Sequence, residues 1–167
     1  MAHVGFWSPL PPQPSGIADY SYSILSELAK TFDVTAVVDD EFSSVVPGKV
    51  RRRLQVPEGV AVANHATTKS NQFDCNIYQM GNNATFHSYM HDRVLEDPGL
   101  LVLHDPSLFD FYVGLCGGES SPSLREEVRL DLRTTNATIP KLRVDGNDEV
   151  DRLALLMSRR LVDASLM

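Results

Sequence analysis

Short apolar runs of strand length alternate with longer segments of helical period along the chain. Ala2 to Trp7 is the first such run, and Val34, Ala36, Val37 and Val38 form a second within Asp33 to Asp39. Cys75 to Met80 and Gly99 to His104 repeat it, the last apolar on both faces until His104-Asp105. Between the first two runs, Ile17, Tyr20, Ile24, Leu25, Leu28 and Phe32 recur at helical spacing behind Ser15, which is placed to cap the helix. Phe86, Tyr89, Met90 and Val94 predict a helix stopped by Asp97-Pro98-Gly99. Ser121-Pro122 opens another in the manner of an N-cap followed by N1 proline, running through Leu124, Val128 and Leu132. A last helix carries Val150, Leu153, Ala154, Met157, Leu161 and Val162 on one side. The pattern is weak over residues 42–72, where one or two irregular strands are expected around Val50 to Val56 and Val60 to Ala63.

Strands alternating with helices predict an α/β fold, an open parallel sheet covered on both faces and forming a single domain over residues 1–167. Ligands of such sheets gather at the carboxyl ends of the strands. That rule selects residues 8–20, 39–41, 81–87 and 104–112. A helix in this pattern normally leads into a further strand, and none follows Met167, so a truncated chain is expected.

Composition narrows the classes. A length of 167 residues suits one hydrophobic core rather than two. Fifteen Lys and Arg against 22 Asp and Glu give a net charge of −7, which argues against nucleic acid as a partner. The basic run Arg51-Arg52-Arg53 reads as a solvated strand or loop. No apolar run approaches the roughly 20 residues of a transmembrane segment. The N-terminus lacks the basic and apolar regions of a signal peptide, and a cytoplasmic location is expected. Cys75 and Cys116 make neither a disulfide framework nor a zinc site. The sequons at Asn83 and Asn136 are then accidental.

Four prolines exclude regular structure from Ser8 to Ser15. After them, Gly16 permits close backbone approach, and the amides of Gly16 to Ala18 suit an anion such as phosphate. A plain connection with Gly16 as a convenient helix start fits as well. There is no G-x-G-x-x-G fingerprint, which tells against a nicotinamide-dependent oxidoreductase. Asp39-Asp40 falls about where a ribose-binding carboxylate would, although Asp at a strand end is also a turn former. In Gly81-Asn82-Asn83-Ala84-Thr85-Phe86-His87, amides and carboxamides could bond sugar hydroxyls, or the asparagines could simply make the turn. His87 and His91 have the spacing of a helical metal pair. Residue 88 is Ser rather than the Glu of H-E-x-x-H, and no third ligand is placed, so surface or packing histidines are expected and no metal. His104-Asp105 ends a strand on the ligand side, where neutral imidazole can accept or donate a proton near pH 7. Neighbours on a strand point to opposite faces, so direct pairing of the two is not implied. A histidine at the edge of the core is the competing reading.

Three segments carry a resemblance in the same order: Ser8-Pro9-Leu10-Pro11-Pro12-Gln13-Pro14-Ser15-Gly16-Ile17-Ala18-Asp19-Tyr20 behind the first strand, Tyr78-Gln79-Met80-Gly81-Asn82-Asn83, and Val102-Leu103-His104-Asp105. They resemble the N-terminal domain of bacterial family 4 glycosyltransferases, retaining enzymes of the GT-B fold. The likeness covers residues 2–112, and Arg159 to Ser165 looks like the helix before that domain's next strand; residues 42–72 match little. The resemblance implies two Rossmann-like domains facing across a cleft, the first mainly holding the acceptor and the second the nucleotide-sugar donor. It implies that the Gly16 amide approaches the donor diphosphate, that Ser15, Asp19 and Tyr20 line the acceptor side, and that Gly81, Asn82 and Asn83 sit beside the sugar. His104 would hydrogen-bond the transferred sugar at the reacting centre, with Asp105 in the same substrate-binding set. Amides aimed at a departing nucleoside diphosphate would stabilise its developing charge. No cofactor and no metal are implied.

The C-terminal domain of that family, with its acidic ribose motif and basic diphosphate clamp, has no counterpart in these 167 residues. The expectation is therefore a chain inactive alone, which needs that domain in cis or from a partner chain. The face left open could self-associate into a homo-oligomer. The competing reading is a standalone α/β binding or interaction module without catalysis. Convergence of His104, Gly16 and Asn82 on one open pocket would favour the enzyme half.

Overall fold

The alternating pattern folds as it predicts. The computed structural model describes residues 1–39, 54–132 and 157–165. In chain order the elements are β1 (His3–Trp7), α1 (Gly16–Leu28), β2 (Asp33–Val38), β3 (Ala61–Asn64), β4 (Cys75–Met80), α2 (Ala84–Glu96), β5 (Leu100–Leu103), α3 (Phe109–Leu115), α4 (Pro122–Leu132) and α5 (Arg159–Ser165). All five strands are parallel, in the order β3-β2-β1-β4-β5. The chain starts at the centre, builds outward to β3, then returns to the other side of β1 to lay down β4. This is a Rossmann-like α/β sheet, and the switch of direction lies between β1 and β4, where the crevice of such folds opens.

Side chains alternate across each strand, so every central strand packs on both faces of the sheet. Phe6, Val34, Ala36 and Val38 pack with Leu10 and with Leu25 of α1 on one face. Trp7, Val37, Tyr78 and Met80 pack on the other with Met90, Val94, Phe109, Phe111, Tyr112, Leu124 and Leu161 of the later helices. The buried polar atoms near the amino end of β4 are satisfied locally. Trp7 Nε1 donates to Asn76 Oδ1 at 2.8 Å, Asn76 Nδ2 to Asp97 Oδ2 at 3.2 Å, and the Tyr78 hydroxyl to the Asp97 carbonyl at 2.7 Å.

Several expectations need correction. The run Gly99 to His104 is not a strand buried on both faces. It contributes only Leu100–Leu103, pairs with β4 alone among the described residues, and leaves Leu100 57% and Leu103 36% exposed. Gly99, just before the strand, leaves no room for a side chain, since a Cβ there would fall on the Asn76 carbonyl oxygen. Phe32 lies beyond α1, which ends at Leu28. Residues 54–57 form no strand; Gln55 N instead donates to the Pro11 carbonyl at 2.8 Å, and the strand expected at Val60 to Ala63 is Ala61–Asn64. Met157 is not on the last helix but precedes it, buried, with a positive φ of 53°. Phe109–Leu115 is a helix that the apolar pattern does not mark; Ser107 Oγ accepts from Phe109 N at 3.2 Å at its start. Asp40, Arg51-Arg52-Arg53, Asn136 and the expected helical positions Val150 to Ala154 lie outside the described residues. No described helix is long and apolar enough to cross a membrane.

Candidate functional site

The loops leaving β1, β4 and β5 meet over the switch point. The proline-rich loop after β1 is shaped by its own hydrogen bonds. Gln13 Oε1 accepts from Leu10 N at 2.9 Å, Gln13 N donates to the Leu10 carbonyl, and Ser15 N donates to the Gln13 carbonyl at 2.8 Å. The Ser8 and Ser21 hydroxyls, 2.6 Å apart and buried, fasten the loop to α1. Ser15 then caps α1, accepting from Ile17 N at 3.3 Å. Gly16 follows with open space where a side chain would stand, so its backbone is free to meet a ligand.

A cleft of about 500 Å³ lies between these loops. One wall is Pro14, Ser15, Gly16, Ile17 and Tyr20; the second is Asn82, Asn83, Phe86 and His87; the third is His104 and Asp105. The end of β5 is held to β4 twice. His104 N donates to the Met80 carbonyl at 2.9 Å, and His104 Nε2 lies 2.7 Å from Oε1 of the buried Gln79. Burial lowers the His104 pKa, with neighbouring Asp105 opposing, so the ring is neutral at pH 7.

Asp105 does not pair with His104. Its Oδ2 accepts from Asn82 N at 2.7 Å, and His104 and Asp105 both lie beyond β5, which ends at Leu103. The Asn82 carboxamide is also engaged: Nδ2 donates to Asp110 Oδ2 at 3.1 Å, and Oδ1 accepts from Phe111 N at 2.9 Å. Asn82 therefore serves the first turn of α3 from another loop. Asn83 caps α2 by accepting from Thr85 N at 2.9 Å. Gly81 is buried beneath them, and a Cβ there would press on Ile17 and stand 2.9 Å from His87 Nε2 and 3.1 Å from Asp105 Oδ2.

Of the residues singled out in the sequence, Ser15, Gly16, Tyr20, Asn82, Asn83, His104 and Asp105 line one cleft. Gly81 supports its floor, and Asp19 is exposed on α1 outside the lining. One residue was missed, Gln79, whose role depends on a neighbouring strand; His87, expected as a surface or packing histidine, is a packing one that also borders the cleft. The signal for His87 lay in the spacing of His87, Met90, His91 and Val94, the buried stripe of α2. His87 is 1% exposed, and its Nδ1 has no hydrogen-bond partner. Burial pushes its pKa down to about 4, with hydrogen bonding towards the Gln79 backbone opposing.

His91 turns elsewhere, with Nε2 3.3 Å from the Tyr112 hydroxyl and Nδ1 2.9 Å from Asp92 Oδ1. The two helical histidines thus serve separate surroundings, and no group of three metal-ligating side chains occurs among the described residues. Asp39 faces His65, its Oδ1 3.6 Å from Nε2, rather than the cleft. Comparison of the chain with models of protein families, with curated proteins and with solved structures finds no match.

Proposed function

We propose that this chain forms the acceptor-side half of a retaining glycosyltransferase site, in which a sugar moves from a nucleoside-diphosphate donor to an acceptor hydroxyl. The observation that carries the reading is convergence: Gly16, Asn82 and His104 come from three separate loops and border one open cleft at the switch point. The chemistry fits the parts. The Gly16 amide, unobstructed at the start of α1, suits the diphosphate and the charge that develops as it leaves, while the amides of Ile17 and Ala18 already donate to Ser15. A neutral His104 offers a ring nitrogen to a sugar hydroxyl without placing a cation beside an oxocarbenium-like centre. The cleft is open on one side, and a second α/β domain, in cis or from a partner chain, would cover the donor and complete the site.

A second reading, a binding module without chemistry, draws on the Asn82 carboxamide, which is committed to Asp110 and Phe111 rather than offered to a ligand. One experiment separates them. Amide and imidazole NMR signals of the chain are followed during titration with a panel of nucleoside-diphosphate sugars and with the free sugars. The transferase reading expects nucleotide sugars to shift Gly16 and His104, with the Gly16 response weakened in His104→Ala. Equal response to free sugars favours the binding module. No response at Gly16 or His104 to any nucleotide sugar removes the transferase reading, and robust transfer by the isolated chain removes the requirement for a second domain.

A further inference from the structure

We infer that Gln79 is a positioning residue that fixes His104 in its Nε2–H tautomer and so leaves Nδ1 as the hydrogen-bond acceptor offered to a ligand hydroxyl. The inference rests on the sugar-site reading only for what the ligand is. The tautomer itself follows from the orientation of the Gln79 carboxamide, which turns Oε1 toward the ring.

Gln79 stands on β4, 2% exposed, and its carbonyl Oε1 is 2.7 Å from His104 Nε2. A carboxamide oxygen carries no hydrogen, so the imidazole nitrogen must supply the proton of this bond. A neutral imidazole has one N–H. Placing it on Nε2 empties Nδ1 of hydrogen, and Nδ1 has no protein partner among the described residues. The opposite tautomer would set an imidazole lone pair against a carbonyl lone pair across 2.7 Å, a gap too short for a bridging water. The main chain holds the same spacing, because His104 N donates to the carbonyl of Met80, the neighbour of Gln79. Tyr20 closes edge-on over the ring at 4.9 Å between centroids, and its contact restrains rotation of the imidazole. The other titratable groups near the ring are His87, which burial keeps neutral, and Asp105, whose Oδ2 accepts from Asn82 N.

An acceptor at His104 selects a donor from the ligand. Hydroxyls fit it, whereas phosphate oxygens do not, and these are left to the amide of Gly16. Gln79 thereby divides the cleft into a hydroxyl-reading end and an anion-reading end without touching the ligand.

The test uses the whole chain with nitrogen-15 in its histidines. Long-range proton–nitrogen spectra above the titration of His104 are expected to show Nε2 protonated and Nδ1 bare, in a single tautomer. Gln79→Met is expected to turn this into a mixture and to weaken nucleotide-sugar binding roughly tenfold, the loss of about one hydrogen bond to a correctly presented acceptor. Gln79→Glu is expected to keep the Nε2–H form and to raise the pH at which His104 titrates. A proton on Nδ1 in the unaltered protein overturns the inference. So does an unchanged single tautomer in Gln79→Met, or, where that variant does not fold, an unchanged titration in Gln79→Glu. Because the spectra need no ligand, failure of the transferase reading appears instead as absent nucleotide-sugar response beside an intact tautomer.

Discussion

The Tyr20 ring meets the His104 imidazole edge to face, with centroids 4.9 Å apart and planes inclined by 76°. One ring belongs to the first turns of α1 and the other to the end of β5, so the contact joins the proline-rich loop's helix to the far side of the switch point. It does so in a place that contributes little to the core, since Tyr20 is 45% exposed.

Tyr20→Ala is therefore expected to cost no more than about 1 kcal/mol of stability, in the range of an exposed aromatic pair. The same change should broaden the His104 ring signals and weaken its response to ligand, while Tyr20→Phe retains both. Urea unfolding alongside histidine NMR checks this. A loss near the 3 kcal/mol of a core truncation would make Tyr20 a packing residue instead.

The two glycines of the cleft separate function from stability. At Gly16 a methyl group enters open space at the start of α1, so Gly16→Ala should leave stability unchanged or raise it by up to about 1 kcal/mol. It should also impair anion binding at the Gly16 amide. At Gly81 the methyl meets Ile17, His87 Nε2 and Asp105 Oδ2, and Gly81→Ala should cost about 1–3 kcal/mol through overpacking. Thermal unfolding and nucleoside-diphosphate titration of the two variants should rank them in opposite orders.

Asn82 holds the first turn of α3 from outside that helix, through Asp110 and Phe111. Asn82→Ala removes both bonds and is expected to lower stability by about 1–2 kcal/mol. The loss should be local. Hydrogen exchange at the Phe111 amide should accelerate far more than exchange in β1 or β4, and equal acceleration throughout would refute a capping role.

What could be read from the sequence divides along locality. β1, β2 and β4 were legible because their apolar runs are bounded by turn residues and buried by packing that each run encodes itself. The Ser15 cap likewise acts within two residues of its own helix. The helix α3 was hidden because seven residues carry less than two full apolar periods and its anchor, Asn82, lies 28 residues from Asp110. β5 misled for a related reason: four leucine and valine residues look equally apolar at the centre or the edge of a sheet, and only strand order decides which. In the cleft, Gly16 and His104 were visible from their positions at strand and helix ends. Gln79 was not, because its function exists only once β5 lies beside β4.

His87 makes stability depend on pH in a definite direction. Its folded pKa, about 4, lies below the ordinary value of 6.5, because burial penalises the imidazolium. Between those values the unfolded chain binds a proton that the folded protein refuses. The contribution is thus fully present above pH 6.5 and is lost progressively as pH falls towards 4. Its full size is about 3 kcal/mol. Urea midpoints measured from pH 7 to pH 4 should fall accordingly, and His87→Phe, which fills the same buried stripe of α2 without a titrating group, should flatten that part of the profile. A slope between about pH 5 and 7 that survives the substitution would assign it to a group other than His87, and His104, also lowered by burial, is the first candidate.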